Sequence, residues 1–338
     1  MDTFNKNCPI CSNEKLQHLQ YINELFSFLT KKNKNIFSDL NILSCLECGF
    51  SYAYPFIDTR KLNEFYENEY SAEGGPHFEI YEIKSHKWKK YFSSRAASQL
   101  ILAAQYTDLS KIKNFMDIGC GHGSSFRMLN KMKCDATYYG MEGGVNYQQD
   151  LNELNVNIID WRSDTLNIDD KYNDFFDLIL MSHVLEHFNA LYLEPILKNI
   201  NKYLKSGGVF ICEVPNDNAS YQLLESVNQA PHLAFFSKKS LIKIMKDCGF
   251  DIKYAQCVGE PVNTRINNKL DSHRIKLKKY IHRYSVIKKM YYILRQIFVH
   301  ILILKKYYLN NNATTVINSE NFIYGDDRQC IRICGIKK

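Results

Sequence analysis

The segment that most constrains the fold of this chain is residues 115–123, Phe-Met-Asp-Ile-Gly-Cys-Gly-His-Gly. An apolar strand that includes the acid Asp117 is followed by three glycines at alternate positions, Gly119, Gly121 and Gly123, and then by a helix-like stretch. Glycine tolerates positive φ and has no Cβ, so such a turn lets the backbone approach a ligand closely. The unpaired N–H groups at the start of the following helix favour a polar or anionic ligand. The segment therefore predicts a strand–turn–helix unit that binds a cofactor.

The spacing of the glycines separates two classes of cofactor. Dinucleotide-binding turns have the pattern G-x-G-x-x-G, whereas this turn has G-x-G-x-G followed by Ser124. With Asp117 two residues before the first glycine, it resembles the first motif of class I S-adenosylmethionine (SAM) dependent methyltransferases. The resemblance implies a Rossmann-like fold, SAM as the cofactor, and contacts to it from Asp117, Gly119, Cys120 and Gly121.

The order of apolar and amphipathic segments predicts an α/β fold. Strand-like runs alternate with helical stretches between residues 112 and 258, which is typical of a doubly wound sheet. A chain of 338 residues with 45% apolar composition can bury a core of that size. The predicted strands are 112–118, 136–141, 156–160, 175–181, 207–214 and 251–257, and the alternating residues 330–336 predict a final strand.

The same patterns divide the chain into five parts. We predict, in order, a zinc ribbon over 1–60, a helical linker or lid over 61–110, the SAM-binding domain over 111–260, a basic helical insert over 261–312 and a strand within 313–338 that completes the sheet. The first residues lack the apolar core of a signal peptide, which predicts a cytoplasmic protein. Eleven cysteines then favour reduced thiols and metal ligation over disulfides.

Later motifs extend the resemblance to the rest of the cofactor site. Glu142 ends the second predicted strand, where a carboxylate can accept hydrogen bonds from both ribose hydroxyls. The resemblance also implies an acid near the adenine, and either Asp160 or Asp164 can fill that role. Ser182 and His183 follow the fourth predicted strand and are expected to shape the cofactor pocket.

Two C-x-x-C pairs near the start of the chain, Cys8 with Cys11 and Cys45 with Cys48, predict a metal site. Four thiolates suit tetrahedral Zn²⁺ and leave no open coordination position, so this zinc would hold structure rather than take part in catalysis. A pair of redox-active C-x-x-C motifs is the alternative, and it requires a different fold around the cysteines.

The cysteine pairs and the aromatic residues after them resemble a zinc-ribbon-bearing subgroup of methyltransferases, over residues 1 to about 258 and the final strand. The subgroup includes sugar C-methyltransferases and enzymes of surface-polysaccharide pathways. The resemblance implies that His187 and His232 face the acceptor. Histidine is the usual base near neutral pH, so we predict His232 as general base and His187 as a second candidate or acceptor ligand. Pro231 stands before His232, where the sugar C-methyltransferases have a Glu.

Residues 261–312 carry an unusual concentration of positive charge. Twelve Lys or Arg and one acid give this segment a net charge of +11, against +7 for the whole chain. Apolar residues recur at helical spacing within 281–304, and the longest uncharged run is too short to span a membrane. The favoured interpretation is a helical lid that packs on the core or on a second subunit. Contact of residues 265–306 with an anionic membrane surface is the next, and nucleic-acid binding is the least favoured.

The motifs together predict an enzyme that methylates a sugar, nucleotide-sugar or lipid-linked glycan in surface-polysaccharide biosynthesis, in the cytoplasm or against the inner face of the membrane. One alternative is an RNA methyltransferase that holds RNA with the ribbon and the insert, although the Asn/Asp-Pro-Pro-Tyr and Pro-Cys motifs of such enzymes are absent. The other is a SAM-binding scaffold without catalysis, against which the intact Asp117, Gly119, Gly121 and Glu142 speak.

Overall fold

The computed structural model describes residues 7–20, 36–37, 39–66, 94–144, 147–160, 164–216, 231–261 and 328–338. Nearly all of the predicted basic insert (residues 262–312) lies outside these ranges, as does much of the predicted linker (residues 67–93). Within the described ranges, no helix has both the length and the apolar character needed to cross a membrane.

The described residues form eleven strands and six α-helices, with short 3-10 helices at Asp170–Tyr172, Leu185–His187 and Ala190–Tyr192. In chain order the elements are β1 (Leu16–Gln20), β2 (Asn41–Cys45), β3 (Ser51–Tyr54), α1 (Thr59–Phe65), α2 (Ser94–Ala103), β4 (Asn114–Ile118), α3 (Ser124–Lys131), β5 (Thr137–Met141), α4 (Gln148–Glu153), β6 (Asn157–Ile158), β7 (Phe176–Ser182), α5 (Leu193–Tyr203), β8 (Leu204–Pro215), β9 (Ala234–Phe235), α6 (Lys238–Asp247), β10 (Phe250–Pro261) and β11 (Arg328–Lys337).

The centre of the fold is a seven-stranded sheet in the order β6-β5-β4-β7-β8-β11-β10. The five strands from β6 to β8 in this order run parallel to their neighbours, whereas β11 runs antiparallel to both β8 and β10. Parallel neighbours need a crossover connection, which helices of the chain supply. The sheet confirms the predicted α/β fold with a mostly parallel central sheet.

Each predicted strand has a counterpart, but several differ in length. The predicted strand 156–160 shortens to Asn157–Ile158, and the predicted strand 207–214 lengthens to Leu204–Pro215. The last two predicted strands, 251–257 and 330–336, lengthen to Phe250–Pro261 and Arg328–Lys337. β6 lies at the edge of the sheet with both side chains exposed, whereas β8 lies between two partner strands and is buried along most of its length. Partner strands, which a local pattern does not reveal, therefore set these lengths.

Alternate residues of the central strands enter two different layers, as the two-residue period of a strand requires. On β4, Phe115 packs in a cluster that also contains Leu100 of α2 and Leu129 of α3. Its neighbour Met116 packs in the opposite cluster, which contains Ile196 of α5. Helix α2 therefore belongs to a layer of the α/β core, and packing on both faces fixes the end of β4 from which the glycine turn departs.

A second, four-stranded sheet in the order β1-β2-β3-β9 joins the N-terminal part of the chain to this core. Its last strand comes from much later in the sequence, since Ser51 of β3 pairs with Phe235 of β9. The Ser237 hydroxyl reinforces the junction by donating a hydrogen bond to the Cys48 carbonyl over 2.6 Å. The segment that carries His232 is thereby held between the two sheets.

Candidate active site

The glycine turn is closed on one side and open on the other. Gly119 has a φ of +73°, and a Cβ at this position would lie 2.2 Å from Cγ2 of Val184. Gly121 has a φ of +50°, and a Cβ there would meet nothing within 4 Å. Both positions therefore need glycine for their backbone conformation, but only Gly121 borders open space. The turn thus offers room for a ligand at Gly121.

Asp117 lies beneath the turn with its carboxyl group buried. Its side chain accepts a hydrogen bond from the Ser125 hydroxyl at the start of α3. Burial and the nearby charge of Glu142 raise the pKa of Asp117 to about 7, against the opposing hydrogen bond from Ser125. The carboxyl group is therefore partly protonated near neutral pH, and its hydrogen bond ties β4 to α3 below the cofactor turn.

Glu142, at the end of β5, faces the same turn. Its two carboxylate oxygens accept hydrogen bonds from the backbone N–H groups of Gly121, over 2.7 Å, and Gly144, over 2.9 Å. Burial raises the pKa of Glu142 in spite of these bonds. A carboxylate aimed at the open side of the glycine turn suits the hydroxyls of a ribose. These residues fit the nucleoside half of SAM.

Cys120, also predicted to contact the cofactor, is buried under the turn. Its Sγ would lie 2.9 Å from a Cβ at Gly140 on β5, so the thiol fills the space beside that glycine. Burial, with the charges of Asp117 and Glu142, raises the pKa of Cys120 well above its usual value. The thiol is therefore neutral, and the contact of Cys120 with the cofactor stays a prediction.

Ser182 and His183 end the central strand β7 and lead into a buried polar network. The Ser182 hydroxyl accepts a hydrogen bond from Gln99 Nε2 over 2.8 Å, and the same amide nitrogen lies 3.1 Å from Glu213 Oε2. The backbone N–H of His183 donates to the Glu213 carbonyl over 2.8 Å. His183 has a φ of +57°, and this conformation turns the chain toward the acid Glu186.

The side chain of His183 lies between two buried acids. Its Nδ1 is 3.4 Å from Glu186 and its Nε2 is 3.6 Å from Glu213. Burial alone would lower the pKa of His183, but the Cys330 thiol and the two carboxylates hold it well above its usual value. His183 is therefore an imidazolium at neutral pH. The predicted role of Ser182 and His183 in shaping the cofactor pocket stays a prediction.

Glu213 lies at the centre of this buried polar network, which was not predicted from the sequence. Arg332 of β11 lies 2.5 Å from its carboxylate, and Arg95 of α2 lies 3.5 Å from it. Burial would raise the pKa of Glu213, but Arg332, His183 and Arg95 hold it well below its usual value. Gln99, Glu213 and Arg332 stand on three different elements, so only the tertiary structure brings them together.

The two histidines predicted to face the acceptor lie side by side. The ring centroids of His187 and His232 are 5.0 Å apart, and both side chains are partly exposed. Burial and the neighbouring His187 lower the pKa of His232 to about 3, and burial also lowers the pKa of His187. Both imidazoles are therefore neutral at pH 7, and neutral imidazole is the form that accepts a proton.

Tyr66 supports this pair from the end of α1. Its hydroxyl lies 2.9 Å from His187 Nδ1, and its ring meets the imidazole edge-on at 5.6 Å. Tyr66 was not among the residues predicted from the sequence to face the acceptor, because its contact with His187 joins segments 121 residues apart.

The two acids proposed for the adenine border different cavities. Asp164 lines a small cavity of about 30 Å³, whereas Asp160 lines a shallow one of about 490 Å³ together with Asn167 and Lys171. The small cavity is bounded by residues around the histidine pair: Thr59, Leu62, Asn63, Tyr66, Asp164, His187, Phe188, Asn189 and Tyr192. Asp164 thus lies on the side of the acceptor histidines, and the adenine contact stays a prediction for both acids.

The four N-terminal cysteines converge on one point. Cys8 and Cys48 lie 3.6 Å apart at their sulfurs, Cys11 and Cys45 lie 3.5 Å apart, and all four sulfurs are within 4.8 Å of one another. A tetrahedron with Zn–S bonds of about 2.3 Å has edges of about 3.8 Å, so the thiols fit such an ion. Hydrogen bonding by Cys48 lowers the pKa of Cys8 to about 5 despite burial, which favours a thiolate.

Comparison with known proteins identifies the class of enzyme. Residues 88–255 match the model of a family described as a methyltransferase domain. No curated protein sequence matches the chain.

Among solved structures, the chain is similar to a SAM-dependent methyltransferase from Thermotoga maritima, described as a possible histamine N-methyltransferase, with 17% identity, a TM-score of 0.42, and coverage of 72% of this chain and 90% of that one. It is also similar to a putative sarcosine dimethylglycine methyltransferase from Galdieria sulphuraria, with 13% identity, a TM-score of 0.45, and coverage of 73% and 86%. Similarity at this level carries no information about the acceptor. The family match identifies a methyltransferase domain over residues 88–255, and together with the glycine turn it indicates that the chain is a SAM-dependent methyltransferase.

Proposed function

We propose that this methyltransferase acts on a sugar, nucleotide-sugar or lipid-linked glycan in surface-polysaccharide biosynthesis, with His232 as the general base. The observation that carries the proposal is the pairing of His187 and His232, with ring centroids 5.0 Å apart beside the cavity that Tyr66 and Asp164 line. A sugar hydroxyl or an acidified ring carbon must lose a proton on methylation, and a histidine base is suited to that step.

The position of the histidines relative to the cofactor turn supports this assignment. The glycine turn follows β4, Glu142 follows β5, and the loop that leads to His187 follows β7. These three strands are parallel neighbours, so their carboxyl ends lie along one edge of the sheet, where such folds bind ligands. A proton acceptor and the cofactor residues are thus present at the same edge.

In this proposal the residues of the chain have separate roles. When bound, SAM supplies an electrophilic methyl carbon on a sulfonium. Asp117, Gly121 and Glu142 would hold its nucleoside half, and His187, kept in place by Tyr66, would orient the acceptor. A nitrogen of His232 would take the proton of the acceptor as the new bond to carbon forms. Alignment of the two reactants supplies much of the rate in a reaction of this kind.

We also propose a structural Zn²⁺ on Cys8, Cys11, Cys45 and Cys48, supported by the convergence of their sulfurs. Elemental analysis of the purified chain should find one zinc per chain, and the Cys45→Ser variant should lose it. Cys134, a buried cysteine outside the cluster, offers the matched control, so Cys134→Ser should keep the metal. Full zinc content in Cys45→Ser would contradict the site.

The basic insert is proposed to contact an anionic membrane surface through residues 265–306, which lie outside the described residues. Such a contact would place a cytoplasmic enzyme near lipid-linked acceptors. Flotation with vesicles containing phosphatidylserine, compared with neutral vesicles, should show binding that weakens as salt screens the charges. Equal binding to neutral vesicles, or none to either, would contradict the proposal.

The acceptor class is tested by offering the alternatives side by side. The purified chain and SAM are incubated with nucleotide-sugars, with lipid-linked glycans or with total RNA, and the products are analysed by mass spectrometry. The proposal expects an added methyl group, about 14 daltons, on a sugar. Methylation confined to RNA would favour the RNA methyltransferase alternative, and SAM binding without methylation of any acceptor would favour the scaffold.

A further inference from the structure

A fully buried acid lies behind the two acceptor histidines. Glu186 is in the 3-10 helix Leu185–His187, and its side chain is 0% exposed. Neither of its carboxylate oxygens has a hydrogen-bond partner among the described residues. A carboxylate removed from water in this way is costly unless nearby positive charge balances it. The groups around Glu186 therefore decide what the residue does.

Three histidines surround the Glu186 carboxylate. Its Oε1 lies 3.4 Å from His183 Nδ1 and 4.0 Å from His187 Nε2. The side chains of Glu186, His187 and His232 each bring one polar atom within 4.8 Å of the others. The Glu186 carbonyl also accepts a hydrogen bond from the Leu233 N–H over 2.8 Å, which fixes the segment bearing His232 against the acid.

Two titratable groups meet this cluster from other elements: the Tyr66 hydroxyl lies 2.9 Å from His187 Nδ1, and burial and the charge of Glu186 raise the pKa of Cys212 of β8. The other charged and titratable groups nearby lie beyond His183. They are Glu213 of β8, Arg95 of α2, and Cys330 and Arg332 of β11. The two arginines both contact the Glu213 carboxylate. His183 links this group to Glu186, and the opposite side of Glu186 faces the acceptor pair.

We propose that Glu186 is a positioning residue for proton transfer, whose carboxylate stabilises the imidazolium formed when the His187–His232 pair takes a proton from the acceptor. This inference rests on the proposed function. In the step, the proton leaves the acceptor for an imidazole nitrogen, while the acceptor's electron pair would form the new bond to the methyl carbon and the electron pair of the broken carbon–sulfur bond would stay with the departing sulfur. Glu186 forms no covalent bond and stays ionised throughout.

The electrostatics of the cluster agree with this geometry. Burial, His187 and His183 all lower the pKa of His232, and Glu186 is the neighbour that raises it. Burial would raise the pKa of Glu186, but the close contact with His183 and the charges of the histidines lower it to about 2. A buried carboxylate that supports a histidine base in this way matches the logic of catalytic triads. Without the carboxylate, the imidazolium would lose its counter-charge and the base would weaken.

Glu186→Gln tests the inference because it keeps the shape of the side chain and removes its charge. With an acceptor identified by the screen above, we expect kcat to fall about 100-fold, with KM for the acceptor and Kd for SAM changed less than about 2-fold. The acidic limb of the kcat/KM profile should move to lower pH, since the protonated base is less stable. Glu186→Asp should retain activity within about 10-fold and keep the limb near its original position. Glu194→Gln, an exposed acid on α5, is the control.

A second measurement does not depend on the acceptor. Nitrogen-15 NMR of the imidazole rings should show the titration midpoint of His183 about one pH unit lower, or more, in Glu186→Gln than in the wild type, since that ring loses one of its two acids. If Glu186→Gln does not fold, Glu186→Asp is used instead. We then expect a smaller shift of the His183 titration midpoint in the same direction, together with a loss of kcat.

Wild-type kinetics and histidine midpoints in Glu186→Gln would overturn the inference. Equal losses in Gln and Asp variants with an unmoved pH limb would overturn it too, because they indicate a packing role. If the histidine midpoints move but no sugar is methylated by the wild type, the proposed acceptor fails while the assignment of Glu186 to the histidine cluster stands.

Discussion

The proposed cofactor half and the proposed acceptor half of the active site are built in different ways. The cofactor half consists of residues close together in sequence, from Asp117 to Glu142 on two neighbouring strands. The acceptor half takes Tyr66 from α1, His187 from the loop after β7, and His232 from the segment before β9. The first half needs one strand–turn–helix unit and its neighbour, whereas the second needs both sheets in place.

Mutations in the two halves should therefore affect different properties of the enzyme. A change in the glycine turn acts on a local backbone conformation and should affect SAM binding before anything else. A change in the acceptor half acts on contacts between distant segments, and β9 makes those contacts depend on the N-terminal sheet as well. The two halves should therefore separate in experiments that measure SAM affinity and turnover independently.

The largest separation is expected from His232→Asn. Loss of the proposed base should lower kcat by about 10²- to 10⁴-fold, which is the usual contribution of a general base that removes the acceptor proton. The Kd for SAM, measured by calorimetry, should stay unchanged. The control is His18→Asn, an exposed histidine on β1. A parallel loss of SAM affinity would contradict the separation of the two halves, since it would place His232 in the cofactor half.

Gly119→Ala should affect the other half. The added Cβ would meet Val184 at 2.2 Å, and we expect SAM affinity to fall about 10- to 100-fold with a loss of about 1–3 kcal/mol in the free energy of unfolding. Gly207→Ala is a matched control, because Gly207 has a similar φ of +75° but open space at its Cβ position. The control isolates the cost of positive φ alone. Equal effects in the two variants would exclude the contact with Val184 as the cause.

Asp117→Asn tests the buried acid of the cofactor half through the pH dependence of stability. Because burial raises the pKa of Asp117 to about 7, the folded state holds a proton that the unfolded state releases above about pH 4. Asp117 therefore makes the wild type less stable as pH rises through this window, by up to about 1.4 kcal/mol per pH unit. Urea unfolding at pH 5 and pH 7 should show Asp117→Asn gaining stability relative to the wild type as pH rises.

Asp177→Asn provides the opposite sign when the urea unfolding is extended below about pH 4. Burial raises the pKa of Asp177, but Lys205 and the backbone N–H groups of Lys113 and Asn114 outweigh it and lower the pKa. The ionised Asp177 stabilises the folded state above the ordinary aspartate pKa, and this stabilisation is lost as pH falls. The Asp177→Asn variant should therefore be less stable than the wild type near neutral pH, and the difference in the free energy of unfolding should disappear in acid. The same sign for both variants would contradict the assignment of Asp117 as a group protonated in the folded state.

The smallest effect is expected from Tyr66→Phe. It removes a hydrogen bond to His187 worth about 0.5–1.5 kcal/mol, so kcat should fall about 2- to 12-fold with SAM affinity unchanged. Tyr106→Phe removes a hydroxyl that bonds the Lys253 carbonyl far from the histidines and serves as the control. An unchanged kcat in Tyr66→Phe would show that α1 does not position the acceptor half.

Local patterns predicted much of the α/β core. The strand ending in the glycine turn, the position of Glu142 and the alternation of strands and helices all follow from short stretches of sequence, and the structure contains them. The predictions were less accurate for strand lengths, which depend on pairing with neighbouring strands. The edge strand β6 is shorter than its apolar pattern suggested, and β8 is longer because it has partners on both sides.

The sequence by itself determined the strand–turn–helix unit, because glycine spacing, an acid and an apolar run act within a few residues of one another. It also predicted that the four cysteines share one metal, and it marked His187 and His232 as reactive groups without stating how close together they lie. Only the tertiary structure decided that Tyr66 bonds His187, that Glu186 lies fully buried behind the histidine pair, and that β9 joins the N-terminal sheet. The physical reason is that these contacts depend on the order of strands in two sheets, and strand order is set by the packing of the whole core.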